Sequence, residues 1–469
     1  MRLRHLLPLM FLAATSQAAA QSTLPDLGSP SAQTLSEKEE FELGQQFSRE
    51  LREKADLVTD PLLDYYINSL GLRVASAAPP QSYPFEFFLI DDAPVNAFAA
   101  PGGVIAIYRG LFMQTASEDE LAAVIAHEVA HVSQRHIARG MADNKRSSLI
   151  GLASILAAMA LSGSSGDAAA ASLYTGVAAQ AQHQINFTRQ NEHEADRIGI
   201  GTLSRAGFDP DAMAGFFGKM QELDRYRSET QIEYLRTHPV NATRIAEARQ
   251  RADQLRDPSR PTSSDLDYQL AKTRLWALSD GDTHRRPAAG GENASTVEAY
   301  GKALELLKKD QPEAARALLE EQLGQLPDNL WIRLALARSM DGAGDRQAAL
   351  ELLEETHQIF PDNQAATLRL ARLHLDSQPG KAKALLKDAL EKGALSPQSY
   401  RLLAEAAART NDPTLSHEAL ASHFLARGQP YEALEELEKA LKTTRPQSVS
   451  ARRIESFRQR IQDIIAAQE

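Results

Sequence analysis

Apolar positions recur at helical spacing through most of the chain, and the breaks in that period mark its parts. At Ser36 the run Ser-Glu-Lys-Glu places a capping hydroxyl three residues ahead of a glutamate, which predicts a helix through about Ala55. Asp60-Pro61 opens a second helix. Aromatic and branched residues crowd Tyr83 to Asp91, a strand pattern, and Ala97 to Tyr108 reads as another strand interrupted by Pro101-Gly102-Gly103. Ser117-Glu118-Asp119-Glu120 repeats the capping box and starts a helix expected to run to about Arg139. The fold class expected for this part is mainly α with a small β-sheet.

Further along, Leu149 to Leu161 is the one strongly apolar run outside the first twenty residues. Its thirteen residues span about 20 Å as a helix, short of the ~30 Å hydrocarbon core, so it reads as a buried or domain-covering helix. Asp257-Pro258, Arg260-Pro261 and Pro287 to Gly291 punctuate residues 256–296 as a linker. Beyond it, Glu313-Ala314-Ala315 through Leu326-Pro327-Asp328-Asn329 aligns with Gln347-Ala348-Ala349 through Phe360-Pro361-Asp362-Asn363 at a spacing of 34. Lys381-Ala382-Lys383-Ala384 continues the register, and Tyr431-Glu432-Ala433-Leu434 reads as a fourth copy shifted by an insertion. A 34-residue helical period is the tetratricopeptide signature, so residues 297–469 are expected to form an α-solenoid whose concave face binds extended protein segments.

At the amino terminus Arg2 and Arg4 precede an apolar stretch from Leu6 to Ala14 and an A-x-A site at Ala18-Ala19-Ala20. That is a secretory signal peptide over residues 1–20, expected to be cleaved, leaving a catalytic domain over 21–255 and no transmembrane helix in the mature chain. Charge then narrows the partners. The chain's 51 Lys and Arg against 62 Asp and Glu give a net charge of −11, which argues against nucleic acid, whose affinity rests on clustered cations. Cysteine is absent, so disulfides, thiolate zinc ligands and a cysteine nucleophile are excluded, and a metal must sit on histidine and carboxylate.

Candidate chemistry lies in His127-Glu128-Val129-Ala130-His131, inside the helix that starts at Ser117. Residues four apart on an α-helix differ by about 40° and face one point, while Glu128 sits beside it, able to take a proton from water. A catalytic zinc needs a third protein ligand. His136 lies about 180° round a continuous helix from His127 and is excluded on that ground. Asn191-Glu192-His193-Glu194-Ala195-Asp196 supplies a better candidate, because Glu192 and Asp196 share a face: Glu192 as ligand, Asp196 as acceptor for a ligand imidazole. Glu194 is expected to point elsewhere, and His183 and His193 read as ordinary polar residues.

His-Glu-x-x-His with a later Glu-x-x-Ala-Asp, a signal peptide and carboxy-terminal repeats resembles the BepA-like periplasmic gluzincins. The likeness extends to Leu24-Pro25-Asp26-Leu27-Gly28 and to Asn96-Ala97-Phe98-Ala99-Ala100-Pro101-Gly102-Gly103. The resemblance implies one zinc on His127, His131 and Glu192, Glu128 as general base, and a catalytic role for Asp196, sometimes given as proton donor. An orienting role fits Asp196 better, since a carboxylate beside imidazole stays ionised. It also implies that His238, in Arg236-Thr237-His238-Pro239, can reach the metal as a regulatory fourth ligand. Arg244 could polarise a substrate carbonyl or be held in a salt bridge. The expected function is a periplasmic zinc metalloendopeptidase and chaperone-like factor that degrades misfolded or stalled outer-membrane β-barrel proteins, with the repeats docking the barrel-assembly machinery. The alternative is a non-catalytic scaffold on the same machinery. An extended substrate is expected to pair with Ala97 to Tyr108 as an edge strand.

Overall fold

A computed structural model describes residues 35–142, 189–226, 232–257, 259, 265–279, 286–287, 290–393 and 396–466. The signal sequence, the apolar run Leu149 to Leu161 and His183 lie outside them.

Helix α1 (Glu37–Lys54) begins with the reciprocal capping box: Glu39 N–H donates to Ser36 Oγ, and Ser36 N–H donates to the Glu39 carboxylate at 2.8 Å. Helix α2 (Pro61–Ser76) is capped by Asp60, whose Oδ1 accepts from Leu62 and Leu63 N–H. The sheet follows in the order β1 (Glu86–Ile90), β3 (Val104–Tyr108), β2 (Ala97–Ala99). β1 runs parallel to β3 and β2 antiparallel to it, so Ala106 stands opposite both Phe88 and Phe98. The longer half of the expected edge strand is therefore the central strand, fully buried, and only the three residues of β2 lie at the edge. Pro101–Gly103 form one tight turn with Gly102 at φ 69°, and α1 presses onto it at Gly44, where a Cβ would come within 2.4 Å of Pro101 O.

Helix α3 (Arg109–Gln114) leads to α4 (Glu118–Ser133), capped by Ser117. α4 stops six residues before Arg139. Arg135 takes φ 51° and donates its N–H to Val132 O, and a separate helix α5 (His136–Ala142) begins. A non-glycine residue enters the left-handed region only when something holds it there. Here the Arg135 guanidinium bonds buried Glu40 at 2.8 Å and Leu35 O at 2.6 Å, both from the segment that begins α1.

Helices α6 (Arg189–Arg205), α7 (Asp211–Tyr226), α8 (Glu233–Thr237) and α9 (Ala242–Leu255) complete the amino-terminal half. Inside the stretch read as a linker, Leu266–Leu278 fold into α10, with Leu266, Tyr268, Leu270, Ala271 and Leu275 buried. Helix pairs then stack: α11 (Ala294–Lys308) with α12 (Pro312–Gln325), α13 (Leu330–Gly342) with α14 (Arg346–Ile359), and α15 (Gln364–Ser377) with α16 (Pro379–Lys392). They continue as α17 (Pro397–Arg409) with α18 (Pro413–Ala426), and α19 (Pro430–Thr443) with α20 (Val449–Ala466). The second helices start at Pro312, Arg346, Pro379 and Pro413, so the fourth copy sits in register at Pro413. Tyr431 instead belongs to the first helix of a fifth pair, whose start at Pro430 follows Pro397 by the usual period.

The two halves share one core. A single apolar cluster runs from Leu62 through Phe112 and Tyr268 to Trp331 and Leu373. Tyr66 of α2 meets Trp331 of α13 edge-on with centroids 6.0 Å apart, and Asp60 pairs with Arg274 of α10. With no cysteine in the chain, this contact is wholly noncovalent. No helix among the described residues is long and apolar enough to cross a membrane.

Candidate metal centre

α4 is buried along most of its length and brings His127, Glu128 and His131 into the interior of the amino-terminal half. α6 packs along it and delivers Glu192 and Asp196 one turn apart. His238 caps the end of α8, its N–H donating to Tyr234 O, and the turn behind it is closed by Asn241, whose Oδ1 accepts from Arg244 N–H at the start of α9. Three separate elements thus converge.

His127, His131, Glu192 and His238 are each no more than 2% exposed, and one potential ligand atom from each lies within 4.8 Å of the others. His127 Nε2 stands 3.1 Å from His131 Nε2, 3.3 Å from His238 Nδ1 and 3.5 Å from Glu192 Oε2. Glu192 Oε1 is 3.4 Å from His131 Nε2 and 3.1 Å from His238 Nδ1. An ion bound tetrahedrally at about 2.0–2.1 Å separates its donors by about 3.3 Å, close to these pair distances, so the four side chains could hold such an ion with small adjustments. Three imidazoles and one carboxylate are also donors of the right softness for zinc.

Glu128 is fully buried, and neither oxygen makes a hydrogen bond of ordinary geometry. Burial pushes its carboxyl up from 4.5, against the opposing charges of His238 and His127 and the nearby Ala99 amide. His238 Nε2 lies 3.6 Å from Glu128 Oε1. Asp196 Oδ1 stands 3.1 Å from His127 Nδ1, on the side of the ring away from the cluster. Burial alone would raise the Asp196 carboxyl, but a two-pronged bond from Arg244, at 2.7 and 2.8 Å, together with His127, outweighs it and holds the group below 3.8. Arg244 also lies 2.9 Å from Glu192 Oε2, donates to Pro239 O and lies over the Phe217 ring. Of its two expected fates, the salt bridge is the one found.

His193 faces outward against Glu247 at 2.8 Å, in keeping with an ordinary polar role. Glu194 does point away from Glu192, toward His136 Nε2 and Arg139. His136 stands outside the four-residue cluster, as expected, but for another reason than the one the continuous helix suggests. The break at Arg135 folds it back, buried, until its Nδ1 is 2.8 Å from His131 Nδ1. Helical periodicity carries no signal for this contact.

A buried helix offering two histidines and a buried glutamate beside them, completed by a carboxylate and a third imidazole, makes this a metallopeptidase of the His-Glu-x-x-His type. Comparison with known proteins gives the same class. The profile of peptidase family M48 matches residues 61–252, and a tetratricopeptide repeat profile matches 342–406. The β-barrel assembly-enhancing protease of Escherichia coli K12 is 36% identical over 432 residues, 90% of this chain and 88% of that one. A putative β-barrel assembly-enhancing protease of Vibrio cholerae is 39% identical over 337 residues, 70% of this chain and 69% of that one. The mitochondrial metalloendopeptidase OMA1 of Schizosaccharomyces pombe is 31% identical over 180 residues, 38% of this chain and 50% of that one. The chain belongs to peptidase family M48 and aligns with the bacterial barrel-assembly-enhancing proteases over most of its length.

Proposed function

We propose that the protein is a zinc metalloendopeptidase of the periplasm, exported by its cleaved signal peptide, that removes misfolded or stalled outer-membrane β-barrel proteins, with its solenoid docking the barrel-assembly machinery. The observation that carries the reading is Glu128: a fully buried carboxylate without a hydrogen bond of ordinary geometry, next to four convergent donors. In this reading His127, His131 and Glu192 hold the ion. Zinc, when bound, supplies Lewis acidity that polarises a carbonyl and makes water a nucleophile near neutral pH. Glu128 takes the proton from the attacking water and returns it to the leaving amine, a role helped by a carboxyl raised through burial. Asp196, kept ionised by Arg244, fixes the His127 ring so that Nε2 points at the ion. Barrel substrates are suggested by the names of the relatives and by the solenoid.

His238 favours a second state of the same protein. In this reading a fourth protein donor competes for the position that water needs, so the form with His238 on the ion is a low-activity state, able to act as a scaffold, and cleavage proceeds as the α8 segment withdraws. The test uses the purified full chain loaded with one equivalent of zinc and an unfolded barrel protein as substrate. Wild type should cleave it; Glu128→Gln should keep the zinc and lose cleavage; His127→Ala, His131→Ala and Glu192→Ala should lose both. Cleavage by zinc-loaded Glu128→Gln at the wild-type rate would overturn the reading.

A further inference from the structure

We infer that His136 is a positioning residue: it accepts the Nδ1 proton of His131 and thereby fixes the ring that offers Nε2 to the metal. The inference rests on His131 being a metal ligand. His131 faces the cluster with Nε2, 3.1 Å from His127 Nε2 and 3.4 Å from Glu192 Oε1. A neutral imidazole that coordinates through one nitrogen carries its proton on the other, so Nδ1 of His131 must donate. The group opposite is His136 Nδ1 at 2.8 Å, which is then the acceptor. That assigns the His136 proton to Nε2, and Nε2 is 3.3 Å from Glu194 Oε2. The same carboxylate oxygen accepts from Arg139 at 2.9 Å, and Arg139 NH2 donates to Asn191 Oδ1. The result is a directed chain, His131 to His136 to Glu194, ending on a cation. His127 has the shorter version, one carboxylate from Asp196 held by Arg244.

The backbone supports this assignment. On a continuous helix His136 would sit away from the cluster. It comes back only because Arg135 takes φ 51° and is tied to Glu40 and Leu35 O, 95 and 100 residues earlier. A costly backbone conformation, anchored from a distant element, ends by seating an imidazole on an imidazole. Glu194, on the same helix as Glu192, closes the chain, so α6 supplies a cluster donor and the last acceptor together.

The test compares His136→Phe, which keeps a ring and loses the acceptor, with His136→Asn, whose amide oxygen can stand near the Nδ1 position. Zinc affinity is read by competition with a chelator, and the urea midpoint of the metal-free protein is read in parallel. Loss of a partner behind a ligating histidine weakens metal binding about 10–100-fold. The expected result is a loss of that order for His136→Phe, recovery to within a few-fold of wild type in His136→Asn, and metal-free midpoints that stay together. Equal zinc affinity in wild type and both variants would overturn the role of His136 while leaving the metal site standing. A loss that His136→Asn does not recover and that follows a drop in the metal-free midpoint would reduce His136 to packing. A wild-type chain that binds no zinc would overturn the metal site itself and the inference with it.

Discussion

Asp60→Asn isolates the buried charge that ties the start of α2 to α10, the helix that leads into the solenoid. The carboxylate does two things: Oδ1 caps α2 by accepting from Leu62 and Leu63 N–H, and both oxygens bond Arg274 at 2.8 and 2.6 Å. Asparagine caps a helix about as well as aspartate, so the substitution spares the first role and removes the second. Asp60 and Arg274 have side chains only 11% and 10% exposed, so solvent screens them little. Taking one partner from a buried pair costs about 3–5 kcal/mol, because a desolvated charge is left behind. Arg338 and Arg369 lie close enough to add repulsion to a bare Arg274, which places the expected loss at about 3 kcal/mol or more. Urea unfolding at pH 7 measures it, and a loss under about 1 kcal/mol would refute the reasoning. The acid limb adds an independent check. Burial would raise the Asp60 carboxyl, yet Arg274 overrides it and holds the folded value below 3.8. The pair's contribution is therefore full above the unfolded value of about 3.9 and fades as pH falls toward the folded value, so the gap between wild type and Asp60→Asn should close only in that acid window. Asp60→Asn with Arg274→Met should recover most of the loss, since no charge is then stranded.

Other outcomes follow from the same geometry. His238→Ala removes the fourth donor and keeps the Glu128 side chain itself, so turnover of an unfolded protein at matched zinc content should rise; a large fall would make His238 a transition-state group instead of a latch. The Tyr108 amide donates to Asn96 O and the Ala100 amide to Val104 O, which turns the Ala97 and Ala99 amides away from β3, the Ala99 amide being the one near Glu128. Ala97→Pro should raise KM with zinc and fold retained, and unchanged kinetics would remove β2 from substrate binding; proline in Val104 or Ala106 should disrupt the sheet itself, since β3 is central. Truncation before Val297 should lower the unfolding midpoint of the remaining peptidase half, because Val297, Tyr300, Trp331 and Leu373 belong to its core cluster; an unchanged midpoint would show independent cores.

The parts of this fold that sequence patterns reveal are those whose causes are local. Ser36 and Glu39 bond each other across one turn, and the α1 boundary falls where that spacing puts it. His127 and His131, then Glu192 and Asp196, share faces because four residues nearly close a helical turn, and no distant contact is needed to bring each pair together. Where the cause is a long-range contact, the pattern misleads. Nothing in Gln134-Arg135-His136 marks a helix end, and the stop at Ser133 depends on Glu40 of α1 and on Leu35 just before its cap. Strand order cannot be read from a hairpin pattern, so the exposed-edge reading of Val104 to Tyr108 fails once β1 pairs with it in parallel. Tyr431 shows the same limit in the solenoid: alanine and leucine spacing is alike in first and second helices of a pair, and only counting starts across the stack assigns it. His136 is the sharpest instance. Its exclusion from the donor cluster holds, but the helical angle behind that exclusion does not, because a single residue at φ 51° turns a position on the far side of a helix into the neighbour of His131.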